Sequence, residues 1–285
     1  MGKKITEFDS SAFLNTYSYM KYLDKLKELA MCMFEWKNLP SSIDERYLEL
    51  ALFERGKCVY FDDDVLGNLC LKCAIGGRLN VYNIPIERRA YANNGYQRQL
   101  NDKNSVIIYN NYLHKNTLSD MQYYAIRIWE LDRTIDINAN AQKTPILISC
   151  DDNERLSMEQ VYMKYVGNQP VICGTKNLSP NSIQVLRTDA PYVADKLMDL
   201  KNQIWNEALT ELGIENIAFQ KRERMINTEA TQNAGKVYAY RYTRLNERIK
   251  AAKEINKMFG TNITVEYRKG IEEMADMPKE GENNE

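Results

Sequence analysis

Apolar residues recur every three or four positions in several stretches of the chain, the spacing that places them on one face of an α-helix. The most regular stretch covers residues 117–138, where one apolar stripe runs from Met121 to Ile135. A second stretch covers residues 190–212, and Gly213 follows it as glycine often follows a helix. Shorter helices are predicted at 13–36, 43–55 and 244–259. Each of these helices needs a partner for its apolar face.

Capping residues mark the beginnings of the two long helices. Ser119 and Gln122 form a capping-box pair near the start of the first helix. Thr188 and Asp189 offer capping oxygens before the second helix, and Pro191 suits its first turn. With a rise of about 1.5 Å per residue, the second helix should be about 34 Å long, and the first helix is its obvious packing partner.

Strand-like segments fill the intervals between the helices. Residues 57–114 are β-rich, with the short apolar runs CVYF, LNVYNI and SVIIYNN among polar loops. The runs TPILISC, QPVICG and SIQVL predict strands between the two long helices, with a short helix at 158–165, and NITVEYR predicts one after Gly260. The pattern indicates an α+β protein: two long helices bracket a small β-rich module, and both ends of the chain contribute to a mixed α/β region.

Three segments lack such a pattern. Residues 1–12 are predicted to be a loose polar arm, and residues 214–235 show no sustained apolar period. The last fourteen residues contain six acids and one lysine, which favours a disordered tail.

Composition excludes several classes of protein. The 285 residues include 38 Lys and Arg against 39 Asp and Glu, and the net charge of −1 argues against a general nucleic-acid or membrane binder. No apolar run approaches the roughly 18–20 residues needed to cross a bilayer. The six cysteines are scattered, so we expect reduced thiols and a reducing compartment.

Few residues suggest catalysis. His114 is the single histidine of the chain, and neither a phosphate-binding loop nor a dinucleotide-binding glycine pattern is present. The acidic runs Asp62–Asp64 and Asp151–Asp152 could bind magnesium, although such runs more often mark solvated turns. We therefore predict no catalytic residue, metal site or cofactor. A metal-dependent DNA-processing enzyme, such as a nuclease, remains an alternative.

Seven segments, none of them a catalytic motif, come in a recognisable order: FEWKNLP at 34–40, VIIYNN at 106–111, NAQKTPILI at 140–148, VYMKYVGNQPVI at 161–172, TDAPYVADKL at 188–197, NEALTELGI at 206–214 and KRERM at 221–225. Together they resemble the upper collar proteins of small, protein-primed podoviruses, which are portal or head–tail connector proteins. The similarity runs from about residue 17 to residue 268. A non-channel minor capsid or collar protein is the other alternative.

The resemblance implies a portal-type protomer. Its segments would be a flexible arm (1–12), the first part of a wing (13–114), a stem helix (115–142), a clip (143–188), a second stem helix (189–213), a channel loop (214–235), the second part of the wing (236–270) and an acidic tail (271–285).

The resemblance also implies a ring, typically of twelve subunits, at one vertex of the capsid of a virion that is assembled in the host cytoplasm. Genomic double-stranded DNA would be packaged and ejected through its channel. Further partners would be the capsid protein, a packaging ATPase and a lower collar or tail protein. Some relatives contact a packaging RNA through an arginine-rich arm. Residues 1–14 offer only Lys3 and Lys4, which argues against that contact here.

Five cations are candidate channel residues by this resemblance. Arg187 and Lys196 would line the channel near its narrow end, and Lys221, Arg222 and Arg224 would belong to the channel loop. One cation per subunit, repeated around a ring of about twelve copies, would form a band of positive charge that faces the DNA phosphates. The alternative for Lys196 is an ion pair with Asp195 or Asp199 of its own or a neighbouring helix.

Overall fold

A computed structural model describes residues 7–142, 146–148, 183–185, 191–216 and 227–271. The predicted helix at 158–165, the strand in QPVICG and residues 272–285 of the acidic tail lie outside the described residues. The chain divides into two compact units: residues 1–130 with 201–285, called the larger unit, and residues 131–200, called the smaller unit.

The described residues form five helices and nine strands. The helices are α1 (Glu7–Cys32), α2 (Glu45–Arg55), α3 (Leu118–Ala141), α4 (Ala194–Leu212) and α5 (Asn227–Phe259). The strands are β1 (Phe34–Lys37), β2 (Lys57–Asp63), β3 (Gly67–Ile75), β4 (Glu87–Tyr91), β5 (Gln97–Asn101), β6 (Ser105–Tyr109), β7 (Ile146–Ile148), β8 (Ile183–Val185) and β9 (Thr264–Tyr267). This mixture of elements confirms the predicted α+β class.

The larger unit is built around an antiparallel five-stranded sheet with the order β5-β4-β3-β2-β6. Its strand β2 is buried on both faces, which explains the unbroken apolar run CVYF in the sequence. Val59 and Phe61 pack with Cys73, Ala90 and Leu100 in one cluster. On the same strand, the Tyr60 ring lies 5.1 Å from the ring of Phe259 at the end of α5.

Two predictions about the first helix are wrong. The backbone is helical from Glu7, inside the predicted arm, and the helix ends at Cys32 instead of continuing to residue 36. Residues 34–37 form strand β1, which pairs antiparallel with β9. Arg268 stabilises this ending, because its backbone N–H donates to Met33 O at 2.9 Å and its Nε donates to Cys32 O at 3.0 Å. Pairing with a distant segment therefore ends the helix.

The loop between β3 and β4 also corrects a prediction. The run LNVYNI at 79–84 is a tight loop and not a strand. The Asn80 side chain organises it, because Oδ1 accepts hydrogen bonds from the backbone N–H groups of Tyr82 and Ile84, both at 2.9 Å. Asn83 adopts a positive φ of 59°, which Asn tolerates better than most residues. The strands that flank this loop, β3 and β4, were not predicted.

Helices α3 and α4 run close to their predicted positions, but both begin differently. Ser119 lies inside the first turn of α3, and its N–H donates to Asn116 Oδ1 at 3.5 Å, so the predicted capping box is misplaced. Helix α4 begins at Ala194 and not at 190, which shortens it to about 28 Å. Within the smaller unit, Asn138 of α3 holds the preceding residues by bonding Pro191 O at 2.9 Å and the Val193 N–H at 3.0 Å.

Helix α5 is the largest departure from the sequence prediction. It begins at Asn227, whereas the sequence pattern predicts a polar loop to 235 and a helix from 244. Between residues 234 and 243 only Val237 is buried, so this part of the helix has no apolar stripe to detect. Its end agrees with the prediction, because Gly260 adopts a φ of 68° and its N–H donates to Asn256 O.

Candidate functional site

The predicted channel cations are only partly described. Lys196 lies in the first turn of α4, exposed, and forms no ion pair with Asp195, Asp199 or another described residue. Arg187, Lys221, Arg222 and Arg224 lie outside the described residues. Of the five candidates, Lys196 alone lies within the described residues, and no described acid pairs with its charge.

Helix α5 is rich in Lys and Arg, and these cations differ in exposure. Lys236, Lys250 and Lys253 are exposed, whereas Arg244 and Arg248 are buried in the larger unit. A buried arginine requires partners for its charge and its five donors. Arg244 and Arg248 are therefore structural residues of this region and do not contribute to an exposed basic surface.

Arg248 is the centre of a buried network of charged and polar groups. Its guanidinium binds both carboxylate oxygens of Glu49 on α2, with Nε to Oε1 at 2.9 Å and Nη2 to Oε2 at 2.7 Å. Both side chains are 2% exposed. Nη1 donates to Asn110 O at 2.8 Å, and the cation lies 4.4 Å from the centre of the Phe34 ring. Trp36 Nε1 donates to Glu49 Oε1 at 2.7 Å. The network joins α2, α5, β1 and the segment after β6.

Arg244 extends this network to the ends of two long helices. Nη1 donates to Thr117 Oγ1 at 2.9 Å, just before α3, and Nη2 donates to Glu211 O at 3.2 Å, in the last turn of α4. Burial, and then the charge of nearby Arg248, lowers the pKa of Arg244 to about 10, so the side chain is still a cation at neutral pH. A cation beside the last carbonyls of a helix also interacts favourably with the helix dipole.

Arg241 makes a second contact at the end of α4. Its Nε donates to Gly213 O at 2.8 Å, and its guanidinium lies 3.6 Å from the centre of the Tyr267 ring on β9. Gly213 has a φ of 89°, and a Cβ there would lie 2.6 Å from the Arg241 backbone nitrogen. A side chain at this position would therefore push α4 and α5 apart. We call Arg241, Arg244, Arg248 and Glu49 the arginine junction.

Helices α3 and α4 also contact each other beside this junction. Arg127 Nη1 lies 3.6 Å from Glu207 Oε2. Burial, and then a hydrogen bond with Glu211, raises the pKa of Tyr124. These contacts within the larger unit place the beginning of α3 against the end of α4. The predicted packing of the two long helices is thus observed here.

The acidic candidates have a different role from the one a nuclease would need. Asp63 accepts hydrogen bonds from the backbone N–H groups of Val65 and Leu66, from the Tyr96 hydroxyl at 2.5 Å and from Arg98 at 2.6 Å. Asp64 also binds Arg98, at 3.1 Å. These bonds, led by that from Tyr96, hold the pKa of Asp63 well below its ordinary value. The run closes the β2–β3 turn.

Among the described side chains, no three His, Cys, Asp or Glu residues are grouped so as to hold a metal ion. His114 stacks on Tyr109, with ring centres 3.5 Å apart. Asp151 and Asp152 lie outside the described residues. Within the described helices, none is both long and apolar enough to cross a membrane.

Sequence reasoning missed the arginine junction. A weak signal is present, because Arg244 and Arg248 are four residues apart and therefore share a face of α5. Glu49 similarly interrupts the apolar run LELALF of α2. The partners are 199 positions apart in the sequence, so no local pattern connects them.

Three solved structures resemble this fold at low identity. A chain from the portal and tail of native bacteriophage P68 is 15% identical, with a TM-score of 0.48, and the match covers 94% of this chain and 93% of that chain. A HK97-family phage portal protein from Corynebacterium diphtheriae is 9% identical, with a TM-score of 0.47 and coverages of 94% and 96%. A chain from the virion of a native gene transfer agent is 12% identical, with a TM-score of 0.43 and coverages of 87% and 79%.

These identities and scores are too low to carry a functional argument. The sequence identifies the family, because residues 3–272 match the phage connector (GP10) family. The match spans nearly the whole chain and agrees with the resemblance carried by the seven segments. The chain therefore belongs to the phage connector family, and it is a portal, or head–tail connector, a structural protein of the virion and not an enzyme.

Proposed function

We propose that this connector forms a closed ring of about twelve copies whose channel passes double-stranded DNA during packaging and ejection. Helices α3 and α4 would form the stem beside the channel, and residues 143–188 would form the clip where a packaging ATPase docks. The wing would contact the capsid protein, and a lower collar or tail protein would bind the ring from outside. The loop around Lys221, Arg222 and Arg224 would reach into the channel.

The observation that supports the DNA channel is the state of Lys196. On a helix, a lysine and an acid three positions later are neighbours and can form an ion pair, but exposed Lys196 forms none with Asp199. Repeated around a ring, Lys196 and Arg187 would form narrow positive bands. Screening over about 8–10 Å at physiological salt would keep the effect of each band local, so that DNA is centred without being gripped along the whole channel.

Replacing Arg187 and Lys196 together by Ala tests this role. We expect rings of unchanged yield and size, because exposed charges contribute little to stability. DNA retention in filled heads should become less sensitive to salt, since fewer counterions are displaced from the phosphates. Sizing chromatography and a salt series of DNA retention measure the two effects.

A matched control is Lys103→Ala, which removes an exposed cation from the turn between β5 and β6. It should leave both ring yield and the salt dependence unchanged. Failed assembly of the double variant would assign Arg187 and Lys196 to subunit contacts. DNA retention that equals that of the unsubstituted protein at every salt concentration would contradict the channel role.

A further inference from the structure

The loop between β3 and β4 ends in two exposed apolar side chains. Val81 is 90% exposed and Tyr82 is 81% exposed. We call residues 79–84 the tip. Single exposed apolar residues are common on protein surfaces, but Val81 and Tyr82 are adjacent and both almost fully exposed, so they form one apolar patch.

This tip is held in one conformation. Besides the two bonds accepted by the Asn80 side chain, the Asn80 N–H donates to Ile84 O at 2.9 Å, and the Ile86 N–H donates to Arg78 O at 3.0 Å. Buried Arg88 anchors the base of the loop, because Nε donates to Pro85 O at 3.2 Å and Nη1 donates to Ser105 O. Ordering a flexible loop on binding costs backbone entropy. A rigid loop with an apolar end is thus already organised for binding.

A groove of about 380 Å³ lies at the other end of the same hairpin. Its apolar walls come from the start of α2, from β3 and from the residue after β4, and include Ile43, Tyr47, Leu69, Leu71 and Ala92. The Tyr47 hydroxyl is buried and has no hydrogen-bond partner among the described residues. Such a group costs free energy unless a partner binds it. The groove therefore offers mainly apolar side chains to an incoming partner.

The tip cannot reach this groove within one chain. The groove lies beside Leu69 and Leu71, near the start of β3, whereas the tip follows the end of that strand at Ile75. With a rise of about 3.4 Å per residue, Leu69 and Ile75 are about 20 Å apart along the strand. Only a second copy can bring a tip to the groove.

Charge supports the same pairing. Arg78 directly precedes the tip, and its side chain is 87% exposed. Asp44 lines the groove, and its side chain is 61% exposed. Arg78 lies 3.7 Å from Glu87. Asp44 caps α2 by accepting a hydrogen bond from the Arg46 N–H at 2.9 Å, and it lies 3.9 Å from the Arg46 guanidinium, so its carboxylate keeps a solvent-facing side. Opposite charges beside the two surfaces would orient the approach of one copy to the next.

We infer that Val81 and Tyr82 of one subunit insert into the groove beside Tyr47 and Leu71 of the next subunit. The inference rests on the proposed ring. Because one surface meets a different surface, the contact is head-to-tail, which is the type of contact that closes a ring. Tyrosine is among the residues that most often dominate the energy of such interfaces.

Two variants test the contact. Val81→Ser with Tyr82→Ser should raise the protein concentration required for ring formation at least tenfold, as measured by sizing chromatography and negative-stain images. The matched control is Tyr112→Ser with Leu113→Ser, another adjacent Tyr and aliphatic residue, exposed by 70% and 71%. The control should assemble as the unsubstituted protein does. Thermal melting of the unassembled subunits should be unchanged in both variants, because neither pair contributes to the core.

Site-specific cross-linking identifies the two surfaces directly. Rings that carry Tyr82→Cys and Asn94→Cys, treated with a short bismaleimide, should give a ladder of linked subunits on denaturing gels. Either single variant, and the pair Tyr112→Cys with Asn94→Cys, should give no ladder. Asn94 is exposed and lines the groove.

The outcomes separate this inference from the proposed function. If the unsubstituted protein forms no ring, the proposed function itself fails. If rings form, the tip variant assembles normally and no ladder appears, the tip–groove contact is wrong and the ring stands. If the tip variant forms rings that no longer join capsids, the tip binds the capsid protein, which also overturns the inference.

Discussion

Two arginine–carboxylate clusters in the larger unit use the same chemistry in different surroundings. In the arginine junction, Arg248 and Glu49 are both 2% exposed. At the β2–β3 turn, Arg98 is 31% exposed and binds Asp63 and Asp64, the latter 89% exposed. Both arginines bind carboxylates through two nitrogens. Only in the junction does burial prevent water from replacing a lost partner.

The difference shows that the contribution of an ion pair to stability depends on the surroundings of the charge that is left when its partner is removed. A charge that keeps access to water is resolvated, whereas a buried charge is left without compensation. We call Asp63, Asp64, Tyr96 and Arg98 the turn cluster. The junction connects segments that are far apart in the sequence, while the turn cluster joins neighbouring hairpins. We expect damage to the junction to unfold the larger unit and damage to the turn to have a local effect.

The largest effect is expected from Glu49→Gln. The substitution keeps the shape of the side chain but leaves Arg248 as an unpaired buried cation, which should lower the free energy of unfolding by about 3–5 kcal/mol. Urea unfolding followed by circular dichroism measures the loss. The control Glu28→Gln removes an acid that is 58% exposed and lies 3.9 Å from Lys25, so it should cost less than about 1 kcal/mol.

Replacing both Glu49 and Arg248 tests whether the unpaired buried charge causes the loss of stability. Glu49→Leu with Arg248→Met removes both charges together, and the double variant should be more stable than Glu49→Gln. If the double variant is the less stable one, the hydrogen bonds of Arg248 to Asn110 matter more than charge pairing, and the comparison above is wrong.

A smaller loss is expected from Arg244→Met. Methionine retains the apolar part of the side chain but leaves Thr117 and the Glu211 carbonyl without their donor, a loss of about 1–3 kcal/mol. Amide hydrogen exchange should show faster exchange at the beginning of α3 and the end of α4. Unchanged exchange at both helix ends would mean that Arg244 does not hold them.

The contribution of the turn cluster to the stability of the fold should depend on pH. The pKa of Asp63 is lowered in the folded protein from an ordinary value of 3.8, so its stabilising effect is present at neutral pH and is lost as pH falls below about 4. The difference in Tm between the unsubstituted protein and Asp63→Asn should shrink over that range. A difference that stays constant from pH 7 to pH 3 would show that the charge of Asp63 is unimportant.

The smallest effect concerns a single hydroxyl group of the turn cluster. Tyr96→Phe removes the donor to Asp63 and should cost about 0.5–1.5 kcal/mol in thermal or urea unfolding. Tyr47→Phe is its matched control, because the Tyr47 hydroxyl has no partner among the described residues. The control should be neutral or slightly stabilising. Equal losses in the two variants would show that the Tyr96 bond adds nothing.

Local signals in the sequence predicted several elements well. The apolar stripe of α3 and the glycines at 56, 213 and 260 are local features, and they identify helices and their ends. The buried run CVYF similarly identifies β2. Periodicity and capping residues are properties of short segments, so they can be recognised in a single sequence.

Several of the prediction errors share a physical cause. Residues 34–37 form a strand because β9, more than 220 positions later, pairs with them. The first turns of α5 lack an apolar stripe, and α4 begins late because Asn138 binds the residues before it. Arg248 looks like a surface cation until Glu49 is placed beside it. The errors at β1, α4 and Arg248 depend on a partner that is distant in the sequence, whereas those at residues 79–84 and at Ser119 come from local hydrogen bonds of Asn80 and Asn116.

The pairing of β1 with β9 has a consequence for synthesis of the protein. Strand β1 has no partner until residues 264–267 have left the ribosome, 227 positions after Lys37. At about 5–20 residues per second, this interval lasts roughly 10–45 s. Arg248 is synthesised 199 positions after Glu49, so Glu49 lacks its counterion for nearly as long. The larger unit can therefore complete its fold only after β9 has been synthesised.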